Sequence, residues 1–238
     1  MTKGTVLCPN PADLEVSSLE ELYARRCMTP HNIDKHLPML RHFARQCESV
    51  TELGSDIGFS TTAFLAAKPK RLLCVDVFIR PELREVLKWA DKGTRVQVIQ
   101  DSSLEIDPVP ETDLLFIDTE HTYEQVAGEL AIHAASARKY IIFHDIVSFP
   151  CIVPAIREFL NEHPEWLVRE WSLIQSGLAV LEYFQRTEPV AVTQGTEPEG
   201  YLREQATFDF TCPAYRHPNR SIPLRGDAEK TCRKRLVA

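Results

Sequence analysis

The chain has 238 residues, room for one substantial domain with additions or for two small ones. Hydrophobic residues at 44% and charged residues at 26% are ordinary globular usage, which excludes a chain disordered throughout, a collagen-like repeat and a coiled coil. A formal charge of −7 argues against broad nucleic-acid binding, because an acidic chain repels phosphate backbones.

The charge is uneven. From Arg216 onward seven basic residues face two acidic ones, a local +5 that leaves −12 on the preceding 215 residues. Such a tail reads either as a solvated arm folding onto an acidic body or as a contact for an anionic substrate or partner. No apolar run approaches the ~20 residues that cross a bilayer, and residues 1–9 lack the apolar core of a secretory signal, so no membrane partner and a cytoplasmic location are expected. The seven cysteines are irregularly spaced and include no Cys-x-x-Cys pair, which disfavours a disulfide framework or a zinc knuckle.

A first helix starts near Ser17 and Ser18, each three residues before a glutamate, with Leu19, Leu22 and Tyr23 as its apolar face. Glu20, Glu21, Arg25 and Arg26 read as ion pairs along it. A second helix is predicted from Asp34 to Cys47, with Pro38 tolerable near its first turn. Short apolar runs then alternate with amphipathic stretches. Strands are predicted over Val50–Leu53, Leu72–Val77, Arg95–Ile99, Leu114–Ile117 and Tyr140–Phe143, and helices over Ser60–Ala67, Glu82–Ala90, Tyr123–Ala135 and Val153–Glu162. Four strands are continuously apolar, as strands buried on both faces are, whereas Arg95–Ile99 alternates. The repetition predicts a doubly wound, mostly parallel α/β sheet. Trp166–Ile174 and Leu178–Phe184, separated by Gln175-Ser176-Gly177, read as an antiparallel hairpin closing it. Residues 186–238, with five prolines and three glycines, read as an irregular arm. The expected organisation is a helical cap over residues 1–47, a sheet domain over 48–185 and a basic arm over 186–238.

Val50 to Ser60 carries the strongest chemical signal. A buried strand ends at Glu52, and Gly54 and Gly58 allow a tight turn into a helix whose N-terminal N–H groups, with Ser55 beside them, face a ligand at the carboxyl edge of the sheet. The spacing is Glu-x-Gly-x-x-x-Gly, not the Gly-x-Gly-x-x-Gly of a dinucleotide fingerprint. Asp76 ends the second strand, where a carboxylate can accept both hydroxyls of a ribose. Asp101-Ser102 follow the third strand and offer an acceptor for an exocyclic amine, or a turn cap.

These residues, in this order, resemble the class I S-adenosylmethionine-dependent methyltransferases over residues 48–184. More narrowly, Phe116-Ile-Asp118-Thr-Glu-His121-Thr-Tyr123 and His144-Asp145 resemble a bacterial subgroup related to sugar and antibiotic-tailoring O-methyltransferases. The resemblance implies a Rossmann-like, seven-stranded sheet with an antiparallel terminal hairpin. It further implies S-adenosylmethionine as cofactor, with Glu52, Gly54 and Gly58 at the methionine end, Asp76 at the ribose and Asp101 at the adenine. The chain departs from the family at Gln100, where a glycine usually precedes Asp-Ser.

On the reactive side, Asp118, His121, His144 and Asp145 share the rim where parallel strands end. Asp118 and Asp145, with His144, could hold Mg²⁺ or another divalent cation, or His121 or His144 could act as general base without metal. The competing structural reading makes Asp118 and Asp145 helix caps and His144 a packed strand end. His31, His36, His42 and His133 read as surface or boundary residues. The expected reaction is methyl transfer to a hydroxyl of a small molecule or sugar. A non-catalytic nucleoside-binding or glycan-assembly accessory protein and a nicotinamide-dependent oxidoreductase are the alternatives. Self-association as a homo-oligomer is left open.

Overall fold

The apolar runs become strands because both faces of each are covered, and the amphipathic stretches become the helices that cover them. The computed structural model describes residues 16–184. The first 15 residues and the basic arm lie outside the described residues. The chain divides after Phe184 into two units, and every element below belongs to the first.

Helix α1 (Leu19–Met28) is capped by Ser18, whose hydroxyl accepts from the Glu21 amide at 3.2 Å. The Glu21 carboxylate returns to Ser17 rather than to Ser18, accepting from its amide and its hydroxyl at 2.9 Å each. Arg25 pairs with Glu21, but Arg26 is no surface pair: it is 2% exposed, donates to the Ile57 carbonyl, and lies over the Phe59 ring. The predicted second helix is shorter than expected, a 3₁₀ turn at Asp34–His36 leading into α2 (Leu37–Ala44). Pro38 sits in the first turn of α2, where its missing N–H costs no bond.

The sheet runs β1 (Ser49–Leu53), β2 (Arg71–Asp76), β3 (Arg95–Gln100), β4 (Thr112–Ile117), β5 (Ala137–His144), β6 (Trp166–Ser172) and β7 (Leu178–Tyr183), in spatial order β3-β2-β1-β4-β5-β7-β6. β1 to β5 pair in parallel, and β7 pairs antiparallel with both β5 and β6. This is the mostly parallel seven-stranded sheet with an antiparallel terminal hairpin read from the sequence. The alternating strand β3 is one of the sheet's two edges and is mostly exposed. Helices α3 (Phe59–Ala67), α4 (Pro81–Leu87), α5 (Tyr123–His133) and α6 (Val153–Glu162) complete it, α4 stopping three residues short of the predicted Ala90.

Two cores result, one on each side of the sheet. Leu53, Leu115, Ile117, Ile141 and Phe143 point to α5 and α6; Val50, Leu114, Phe116, Tyr140 and Ile142 point to α2 and α3. The capping helices share that second core with the sheet. The strand order reverses between β1 and β4, the place where ligands bind in open α/β sheets.

Candidate functional site

Gly54 follows β1 and Asp118 follows β4, and the chain ends meet across the reversal. The Asp118 amide donates to the Leu53 carbonyl at 2.9 Å. Gly54 has φ +82°, and a Cβ there would overlap the Asp118 carbonyl, coming within 2.6 Å of its carbon. At Gly58, φ +83°, a Cβ would crowd Leu83 and Val86 of α4. Both glycines are therefore demanded by protein packing as well as by the turn.

Glu52 is also placed differently from its expected role. It is 0% exposed and accepts from Ser55 Oγ at 2.9 Å, Ser60 Oγ at 2.5 Å, Thr61 Oγ1 at 2.7 Å and the Cys74 thiol at 3.3 Å. Burial raises its pKa against those donors. The carboxylate thus ties the glycine turn to α3 from beneath. Asp76 behaves similarly: Oδ2 accepts from the Ser55 and Asp56 amides at 2.8 and 3.0 Å, and Oδ1 from the Phe78 amide at 3.0 Å. It remains half-buried, with lone pairs to spare for a hydroxyl. Asp101 is exposed and accepts from the Ser102 amide at 2.8 Å, while Ser102 Oγ accepts from the Leu104 amide at 3.3 Å, so both act in the local turn.

Beside the turn lies a cleft of about 230 Å³, lined by Gly54, Ser55, Asp118, Thr119 and His121 on the sheet side and by His31, Asn32 and Ile33 opposite. Glu52, Gly58, Asp76, Asp101 and Ser102 do not line it. Its volume is below the ~300–1,000 Å³ of a small-molecule pocket, room for only part of a nucleoside-sized molecule.

Of its lining residues, Asp118 and His121 meet two further titratable residues buried behind them, His144 and Asp145. His121 Nε2 donates to Asp145 Oδ2 at 2.8 Å and to Asp118 Oδ1 at 3.3 Å. His144 Nδ1 donates to Asp118 Oδ1 at 3.3 Å and Asp145 Oδ2 at 3.4 Å. Phe149 stacks on His121 at 4.3 Å and fixes the ring plane. Burial alone would lower both imidazoles, but the two carboxylates outweigh it and push His121 up to about 9 and His144 up to about 10. Burial would raise Asp118 and Asp145, but the imidazolium partners hold both below the usual carboxylate range. Two cations thus face two anions.

Asp145 adopts φ +65°, 2% exposed, and its Oδ1 has no hydrogen-bond partner among the described residues. Asp118, His121 and Asp145 each offer one ligand atom, all within 4.8 Å of one another. One nitrogen and two oxygens, on residues that include a carboxylate with one unpartnered oxygen, fit a divalent cation once His121 gives up its proton. His121, read from sequence as a base, is therefore the third donor of this group; His144, read as one, sits behind it against His36 at 5.5 Å.

The opposite wall was not legible in the sequence. His36 is 1% exposed and donates through Nε2 to the Ile174 carbonyl at 2.9 Å; His133 is 0% exposed, accepting from the Val109 amide and donating to the Ser103 carbonyl. Neither is the surface or boundary residue expected: both are fully buried. His31 stacks on Phe59 at 4.0 Å and lines the cleft. Gln175, in the β6–β7 turn, joins this wall to the sheet through Asp34 Oδ1 at 2.6 Å, the Lys35 amide and the His31 carbonyl. No sequence signal links residues some 140 positions apart.

Residues 51–146 match the family model described as a methyltransferase domain. A search of curated proteins finds no match. Among solved structures, cofactor-bound Rv0187 from MTB is 19% identical, covering 74% of this chain and 98% of that one with a TM-score of 0.52. N-methyltransferase NodS from Bradyrhizobium japonicum WM9, in complex with S-adenosyl-L-homocysteine, is 13% identical over 70% and 99% with a TM-score of 0.50. The 1,6-didemethyltoxoflavin-N1-methyltransferase of Burkholderia thailandensis is 13% identical over 69% and 82% with a TM-score of 0.51. At these identities the structures establish a shared fold. The family match and that fold together bear out the resemblance to class I methyltransferases.

Proposed function

We propose that this domain moves a methyl group from S-adenosylmethionine to a hydroxyl of a small molecule or sugar, with a divalent cation assisting. The observation that carries the reading is the Asp118–His121–Asp145 group beside the cleft, with Asp145 Oδ1 unpartnered. Transfer breaks the sulfonium C–S bond and forms a C–O bond in line, which requires an acceptor oxygen that has lost or is losing its proton. With its pKa near 9, His121 is a cation at neutral pH and donates rather than accepts. That argues against it as a metal-free base at neutral pH, and the same proton must leave before the ring can serve as a ligand.

Asp118, His121 and Asp145 would hold the cation, which when bound lowers the pKa of an acceptor hydroxyl. His144, hydrogen-bonded to both carboxylates, keeps them oriented, and Phe149 keeps the His121 ring in plane. The reversal of strand order brings the glycine turn and this group to one rim, which supports a single site for donor and acceptor.

Calorimetric titration with S-adenosylhomocysteine, followed by S-adenosylhomocysteine release in the presence of hydroxylated small molecules and sugars, tests the reading. Binding is expected, with turnover that rises with added Mg²⁺ or Mn²⁺ and falls at least tenfold in Asp118→Asn and Asp145→Asn. Turnover untouched by chelator and by both substitutions would eliminate the cation.

A further inference from the structure

The methionine end of the cofactor lacks an evident partner, because Glu52 is fully buried and its oxygens are taken by Ser55, Ser60, Thr61 and Cys74. What faces the cleft there instead is His31, from the segment between α1 and α2. Its ring is stacked on Phe59, the first residue of α3, at 4.0 Å and 11° between planes. The Arg26 guanidinium lies 4.4 Å over the same Phe59 ring, which anchors the arrangement in the cap core. His31 therefore stands at the N-terminal end of α3.

The two ring nitrogens differ. Nδ1 is buried and has no hydrogen-bond partner among the described residues, which leaves Nε2 as the ring's accessible polar atom. A neutral imidazole with nothing at Nδ1 carries its proton best on Nε2, where it can be donated. Burial lowers the pKa of His31, consistent with a neutral ring, while Asp56 and Asp118 oppose that shift and Arg26 and His144 add to it. The helix that begins beneath the ring has no side-chain cap, so its first-turn N–H groups favour an anion at the same place. The remaining titratable groups on that face are spoken for: Asp56 pairs with Arg80, and Asp118 and His121 belong to the cluster with His144 and Asp145.

We propose that His31 binds the α-carboxylate of the cofactor's methionine moiety through Nε2–H, closing the cleft over the open end of α3. This assignment rests on the reading of the cleft as a site for S-adenosylmethionine and adds to it a residue from outside the sheet domain. The same nitrogen that serves the ligand belongs to a ring whose other nitrogen is a buried, unsatisfied group, so the site is held at a cost to stability.

The experiment compares two probes on the full chain: S-adenosylhomocysteine, which carries the amino-acid carboxylate, and 5′-methylthioadenosine, which lacks it. His31→Phe keeps the stack on Phe59 and deletes both nitrogens. It is expected to weaken S-adenosylhomocysteine binding about tenfold to a hundredfold, the range for a hydrogen bond to a charged group. Its affinity for 5′-methylthioadenosine should stay within about twofold, and its thermal midpoint should be unchanged or raised. His31→Gln, which retains a donor, should recover part of the loss. Equal weakening for both probes, or no weakening of either, overturns the assignment. A wild-type chain that binds neither probe overturns the reading of the cleft itself and this residue's role with it, whereas selective failure of the His31 effect leaves that reading standing.

Discussion

At the scale of single residues, the site depends on positions where one atom more or less decides the geometry. Gly54 is the sharpest case. Its φ of +82° lies where an L side chain is strained, and the added carbon would overlap the Asp118 carbonyl. Gly54→Ala is accordingly expected to cost more than about 2 kcal/mol, as strain and overlap act together. Urea denaturation measures this, and a loss under 1 kcal/mol would mean that the β1 and β4 ends separate more readily than the structure shows. The need for glycine was visible in the sequence, but its reason was not. The spacing Gly54-x-x-x-Gly58 announces a tight turn, whereas the contact that forbids a side chain comes from a residue 64 positions away. Glu52 repeats the lesson: its position at a strand end suggested a ligand contact, and its burial among three hydroxyls makes it a tie instead.

At the scale of elements, the reactive rim is a joint between β4, β5 and α5. Asp118 follows β4, His144 ends β5, and His121 opens the way into α5, so the four-residue cluster links three elements by charge. Its effect on stability has a defined pH window. His121 and His144 titrate near 9 and 10 in the folded chain, above the ~6.5 of an unfolded histidine. Their stabilisation is therefore fully present below about pH 6.5 and is lost as pH rises through about 9 to 10. Asp118 and Asp145 are lowered, so their share is present above the unfolded carboxylate value of ~3.9 and is lost on acidification. In chelator, the thermal midpoint should fall between pH 6.5 and 10, and the fall should flatten in Asp145→Asn. A midpoint level across that range in the parent chain would contradict the charge pairing.

α5 has a second task. Glu129, 0% exposed, accepts from Ser103 Oγ at 2.5 Å and Thr119 Oγ1 at 2.8 Å, joining the loop after β3 to the loop after β4. Gly128 lets Leu104 lie against the helix where a Cβ would meet its Cδ2 at 2.8 Å. Both loops that flank the expected adenine side are thus set from below by one helix.

At the scale of the whole molecule, the first unit carries the seven strands and two hydrophobic cores found among the described residues. Deleting residues 185–238 should leave its cooperative unfolding intact, with a midpoint shifted by no more than a few degrees, since a change of about 1 kcal/mol moves a domain of this size by 2–4 °C. Calorimetry of the shortened chain checks it; loss of the transition would show that the basic arm is part of the fold. No described helix is long and apolar enough to cross a membrane.

The sequence by itself determined the fold class and the rim. Continuous apolar runs make strands buried on both faces, their alternation with amphipathic helices makes a parallel sheet, and a parallel sheet puts every strand's carboxyl end on one edge. Glu52, Asp76, Asp118 and His144 could be placed at that edge from local pattern alone, because each ends a strand. Only the tertiary structure decided which way those side chains turn. It sent Glu52 inward, spent the Asp76 oxygens on backbone amides, and gathered His121 with Asp118 and Asp145. It also brought His31 and Gln175 to the site from segments with no motif. Periodicity records which face of an element is buried; which neighbour it is buried against depends on strand order and chain crossing, which no local pattern encodes.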